Sequence, residues 1–185
     1  LIKRGLKIFN HTKIEAPRTR KTFVAPLHIE KEMVGNGGRV LTATVEKDIL
    51  YTDSYFAASL PFAQSQSAHL LAAIIASSLG AWFFLMTASE FGIWKRKLLI
   101  RDVAALPTPN LMLALKSCAG QRLLQIEKGL QTKVPSEEDW HALDEAAFDL
   151  YDLDASERVV VRDGLFRASW QWQAGREKSV ADANT

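Results

Sequence analysis

The sequence predicts an α/β fold of the α+β kind: a small, mostly antiparallel sheet with a central buried helix, followed by a helical subdomain. Three observations carry this prediction. The first sixty residues hold short β-branched and aromatic runs bounded by turn residues. A long uncharged stretch, Ala68–Ser89, follows them. After Gln64 the apolar residues recur at helical spacing, with serine or aspartate ahead of three of the runs.

Leu1–Ile8 is short and basic and reads as strand; Thr12–Arg20, with Pro17, reads as loop. Phe23–Ile29 is an extended piece interrupted at Pro26. Val34-Gly35-Asn36-Gly37-Gly38-Arg39 is a turn, because Asn-Gly and Gly-Gly reach positive φ without strain. Arg39–Glu46 alternates and is β-branched, as a half-buried strand is. Asp48–Ser59 reads as a further strand or hairpin arm.

Ser65 or Ser67 is placed to cap the long apolar helix, and Gly92 to stop it. Its length also suits a bilayer, and Lys95, Arg96 and Lys97 follow it. However, it contains His69, Ser77, Ser78 and Gly80 and is rich in alanine, so we read a buried central helix and no membrane partner. Leu106-Pro107-Thr108-Pro109 is a rigid extended exit. Leu111–Leu130 is read as one helix. Pro135-Ser136-Glu137-Glu138-Asp139 starts the next, with Ser136 as cap and acids in the first turn. Asp154-Ala155-Ser156-Glu157 starts the last, and the tail from Ala174 is expected to fray. Arg158, Arg162 and Arg167 are expected to pair with acids of their own helices.

At 185 residues, 48% hydrophobic and 24% charged, the chain suits one folded domain with an appendage. We divide it into residues 1–110, a recognition domain, and 111–185, a helical subdomain. The net charge of +2 conceals an asymmetry. Residues 1–110 carry 14 Lys/Arg against 8 Asp/Glu, and residues 111–185 carry 9 against 13. The first part is thereby suited to an anionic partner and the second to solvated support. The single cysteine, Cys118, leaves no disulfide framework and fits a reducing, cytoplasmic setting. The first residues read as strand already in progress, so we expect the C-terminal part of a longer protein.

Phosphate loops of the GxGxxG or GxxxxGK[ST] type are absent, as are HExxH and GxSxG. His11, His28, His69 and His141 are scattered, and each is read as a surface or helix-end residue rather than a metal ligand. The acids of Glu137–Asp154 are read as a solvated helix face. Basic residues with aromatic neighbours remain. Lys95, Arg96, Lys97 and Arg101 are the first candidates for phosphate contact, Lys3, Arg4 and Lys7 the second, and Arg39 the third. Phe91, Gly92 and Trp94 would brace the basic loop, with core packing the competing role for the two aromatics.

The order of segments has a further likeness. It runs from Leu1-Ile2-Lys3-Arg4-Gly5 through Leu71–Leu79 with its Ser77-Ser78-Leu79 step, then Thr87-Ala88-Ser89, Phe91-Gly92-Ile93 and Leu106-Pro107-Thr108-Pro109. This resembles the C-terminal target-recognition (specificity) region of adenine-N6 DNA methyltransferases of restriction–modification systems, particularly single-chain type II-like enzymes. Residues 143–172 also resemble the helical end of such proteins. The resemblance implies double-stranded DNA as partner, sequence-specific recognition as function, and a methyltransferase domain upstream in the same polypeptide. It implies S-adenosylmethionine for that upstream domain and no cofactor for this chain, which lacks the Asn-Pro-Pro-aromatic motif and the glycine-rich cofactor loop. Whether the chain belongs to an enzyme is therefore left to the missing domain. Two rival readings stand beside it: a protein–protein interaction or structural module that does not touch DNA, and a protein anchored in a membrane through Ala68–Ser89.

Overall fold

A computed structural model of the chain describes residues 23–32, 38–51, 54–59, 64–88 and 97–182, with side chains described to residue 169. The readings for Leu1–Ile8, Thr12–Arg20, Gly35–Gly37 and Glu90–Arg96 lie outside these residues. Among the described residues there are three strands and seven helices in an α+β arrangement.

The strands are β1 (Leu27–Lys31), β2 (Thr42–Val45) and β3 (Tyr55–Ser59). They form one antiparallel sheet in the order β2-β1-β3, with β1 in the centre. The register pairs His28 with Thr44 and Ala58, and Glu30 with Thr42 and Phe56. Because side chains alternate along a strand, Leu27 and Ile29 face one way and His28 and Glu30 the other. Leu27 and Ile29 join Ile49, Val45, Tyr51, Tyr55 and Ala57 in a small apolar cluster. The opposite, polar face meets the helices, so it is the more hydrophilic side of the sheet that docks inward.

The helices are α1 (Ser65–Ala76), α2 (Ser78–Thr87), α3 (Ile100–Ala104), α4 (Leu111–Ala114), α5 (Cys118–Leu130), α6 (Glu137–Leu150) and α7 (Ala155–Asp182). α1 packs on β2, β1 and α5; α2 packs on α6 and α7. The main core takes Val40, Leu70, Ile74, Ile75, Phe84, Leu98 and Leu106 from one side of residue 110. From the other side it takes Ala114, Leu123, Leu143, Ala146, Ala147 and Ala168.

Several expectations about helix bounds are corrected. The long apolar segment is two helices bent by 66°, and it begins at Ser65 and ends at Thr87. Residue Gln64, not a serine, precedes α1, and no side chain caps it. Ser77 makes the break: its backbone is extended, its hydroxyl donates to the Ile74 carbonyl at 2.7 Å and accepts from Gly80 N–H at 3.3 Å. A serine can hold both roles because its short side chain competes with the helix for backbone groups. Gly80 lies so close to the end of α1 that a Cβ there would sit 2.5 Å from the Ile74 carbonyl oxygen. The Leu111–Leu130 segment is likewise divided, with Ser117 capping α5 through Gly120 N–H at 3.0 Å. The final helix runs on past Ala174 to Asp182. The start of α6 is as expected: Ser136 and Asp139 cap each other's backbone reciprocally. No single helix among the described residues is long and apolar enough to cross a membrane.

Candidate nucleic-acid interface

Of the eight cationic candidates, Lys97, Arg101 and Arg39 fall within the described residues. Lys3, Arg4, Lys7, Lys95 and Arg96 lie outside them, as do Phe91, Gly92 and Trp94.

The end of β1 is a junction of three chain passages. Lys31 N–H donates to the Leu41 carbonyl at 2.8 Å, Glu32 N–H to the Ser54 carbonyl at 2.9 Å, and Leu98 N–H to the Glu32 carbonyl at 3.0 Å. The ammonium of Lys97 lies 2.7 Å from the Glu32 carboxylate, and the next residue, Leu98, is fully buried in the main core. Ala88 N–H closes α2 on the Phe84 carbonyl at 2.9 Å. Arg101 stands on α3, whose entry is fixed by Asp102 accepting Leu99 N–H at 3.0 Å. Its side chain is 70% exposed, with Nε 4.0 Å from Asp102. Downstream, Leu106 is buried and the Tyr151 hydroxyl donates to the Pro107 carbonyl at 2.7 Å, so the Pro-Thr-Pro exit is pinned to the end of α6. Burial pushes that hydroxyl up to about 12.

Arg39 has a different task. Its guanidinium donates to both carboxylate oxygens of Asp144 on α6, at 2.8 and 2.6 Å, and to the Ala76 carbonyl at 3.2 Å, and it lies 4.9 Å from the Trp140 ring centre. Asp144 also accepts Ser78 N–H at 2.8 Å, so the same carboxylate caps α2. A planar fork held on both prongs has little left for a phosphate. Arg39 therefore ties the sheet to the α1–α2 break. Two further expectations change with it. Asp144 is not part of a solvated face. Arg158 and Arg162 reach across to α6, with Arg158 on Glu145 and Asp149 at 2.9 and 2.8 Å and Arg162 on Glu145.

The described surface adds cationic residues that sequence reasoning did not single out. The exposed side of α5 carries Gln121, Arg122, Gln125 and Lys128, while its one acid, Glu127, is turned into the interior. Arg122 leans on Asp149 of α6 at 3.2 Å. The signal was present in the helical spacing, since Glu127 falls one turn after Leu123 on the apolar stripe.

A second group of ionisable side chains lies where the sheet meets the helices. His28 and Glu30 are 8% and 3% exposed, and His69 and Glu127 are 6% and 5%, so neither histidine is at the surface. His69 Nδ1–H donates to Glu127 at 2.7 Å, and Gln131 donates to the other oxygen of Glu127. His28 Nε2 is 4.0 Å from Glu30 and 3.4 Å from the Thr42 hydroxyl. Among the described residues His28 Nδ1, Glu30 Oε1 and the Thr44 hydroxyl have no hydrogen-bond partner. Burial, reinforced by His69, lowers His28 to about 4, and burial raises Glu30 to about 7. Among the described residues no three His, Cys, Asp or Glu side chains come together as metal ligands would.

Compared with protein-family models, with curated proteins and with solved structures, the chain matches none.

Proposed function

We propose that this chain is the target-recognition region of an adenine-N6 DNA methyltransferase of a restriction–modification system, acting in the cytoplasm. It holds duplex DNA for a catalytic domain encoded upstream, which would bind S-adenosylmethionine. The observation that carries the reading is the placement of Lys97 and Arg101. Lys97 is held at the end of β1 by its pair with Glu32 and by the buried Leu98 beside it, and Arg101 stands exposed on α3. Cations whose backbone is held in place lose less freedom when they meet phosphates. The segment order of the sequence and the excess of positive charge in residues 1–110 point the same way.

On this reading Lys95, Arg96 and Arg101 contact phosphates, Lys97 sets the position of the run through Glu32, and Arg39 is structural. Binding of double-stranded DNA should fall steeply as salt rises. Replacing Lys95, Arg96 and Lys97 together with alanine should weaken binding and flatten the log–log salt slope by roughly 0.9 for each phosphate contact removed. Filter binding or fluorescence anisotropy across a salt series measures both. An alanine variant that keeps the parent's affinity and slope rules the assignment out.

A further inference from the structure

DNA recognition makes no use of the polar layer under the sheet. His28 and Glu30 stand two residues apart on the inward face of the central strand, almost wholly buried. From β2 they meet Thr42 and Thr44, and from β3 Phe56 and Ala58. From α1 comes His69, and from α5 and the residue that ends it Glu127 and Gln131, hydrogen-bonded among themselves. His28 Nε2 lies 4.0 Å from the Glu30 carboxylate, and each residue keeps one polar atom with no partner among the described residues. A buried imidazolium–carboxylate pair offsets its lost hydration only with close contact and further hydrogen bonds. Among the described residues the contact is long and the one further hydrogen bond is the 3.4 Å approach of the Thr42 hydroxyl to His28 Nε2, so the uncharged forms prevail in the docked sheet. In water at mildly acid pH the opposite forms prevail, a charged imidazolium and a charged carboxylate.

We propose that His28 and Glu30 are a proton-exchange joint: docking the sheet on the helices transfers one proton from the His28 imidazolium to the Glu30 carboxylate, leaving a neutral layer whose hold is insensitive to pH. The His28 N–H bond breaks, the Glu30 O–H bond forms, and water carries the proton, so no net proton is taken up or released. The lowered His28 and raised Glu30 values agree in direction. Between about pH 4.5 and 6.5 the undocked sheet binds one proton on His28 and the docked sheet binds one on Glu30, so the two linkage slopes cancel.

Removing one partner exposes the slope of the other. With Glu30→Gln, only the undocked state binds a proton, on His28, so opening rises about tenfold for each pH unit of acidification across that window. With His28→Gln, only the docked state binds one, on Glu30, so opening rises about tenfold for each unit of increasing pH. Amide hydrogen exchange of β1, corrected for intrinsic rates, reads all three proteins. A flat wild type with two oppositely sloped variants is the expected result. A sloped wild type, or a variant as flat as the wild type, overturns the joint. The wild type alone gives a second test by nitrogen NMR. At about pH 5.5 His28 should show a neutral imidazole, and an imidazolium spectrum there overturns the proposal.

Discussion

Asp152 holds a conformation its own chemistry does not favour. It ends α6 at a φ of 54°, where a Cβ crowds the following carbonyl. The ending is fixed by Leu153 N–H donating to the Phe148 carbonyl at 3.0 Å and Asp152 N–H donating to the Asp149 carbonyl at 3.3 Å, the Schellman arrangement in which glycine is favoured. Asp152→Gly should raise stability by about 0.5–1 kcal/mol, part of the relief being cancelled by glycine's freer unfolded chain. Urea unfolding measures it, and a loss would mean that the Asp152 side chain contributes more than its strain removes. The buried histidines show what single residues conceal in sequence. Leu27-His28-Ile29-Glu30 alternates, which predicts two faces but not which one meets solvent. Here both faces are covered, so the polar one had to be solved by neutralisation, and no local pattern announces that.

Elements were legible where their signals are local. The start of α6 is encoded in four consecutive positions, Ser136 to Asp139, and forms as expected. The bend between α1 and α2 is made locally by Ser77 and supported at a distance. The uncharged composition runs unbroken through Ser77, and the distant partners that favour the break are Arg39, ahead of β2, and Asp144, on α6. Asp144 serves two donors that would otherwise be left short of an acceptor, the guanidinium and the first turn of α2. The side chains of Arg39 and Asp144 are only 21% and 13% exposed, so removing one leaves the other charged and poorly solvated. Asp144→Ala should therefore cost roughly 2–4 kcal/mol. Arg39→Ala combined with it should cost clearly less than the sum of the single changes, since the second removal relieves an orphaned charge. Thermal unfolding of the two single variants and the double variant gives the coupling directly. Additive losses would mean that the two residues support the bend independently.

At the scale of the whole molecule the fold class could be read from the order of strand and helix signals, because that order depends on composition along the chain. The partition of the core could not, because it depends on which apolar faces meet. The boundary drawn at residue 110 follows charge and the Pro-Thr-Pro exit, yet the packing runs straight across it. α1 lies on α5, α2 on α6 and α7, and Tyr151 holds the Pro107 carbonyl. Leu70, Ile74, Ile75 and Phe84 are fully buried in company with Leu123, Leu143, Ala146 and Ala147. A chain ending at residue 110 would present these side chains to water, along with Arg39 bereft of Asp144 and His69 bereft of Glu127. At about 25 cal/mol per Å² of exposed apolar surface, loss of even part of that contact exceeds the few kcal/mol by which small domains are stable. The 1–110 piece should therefore lack near-ultraviolet circular dichroism and a cooperative thermal transition, and both should return when the 111–185 piece is added in trans. A cooperatively folded 1–110 piece would show instead that the sheet, α1 and α2 form a core sufficient on its own, and that the acidic helices are an appendage to it rather than its other half.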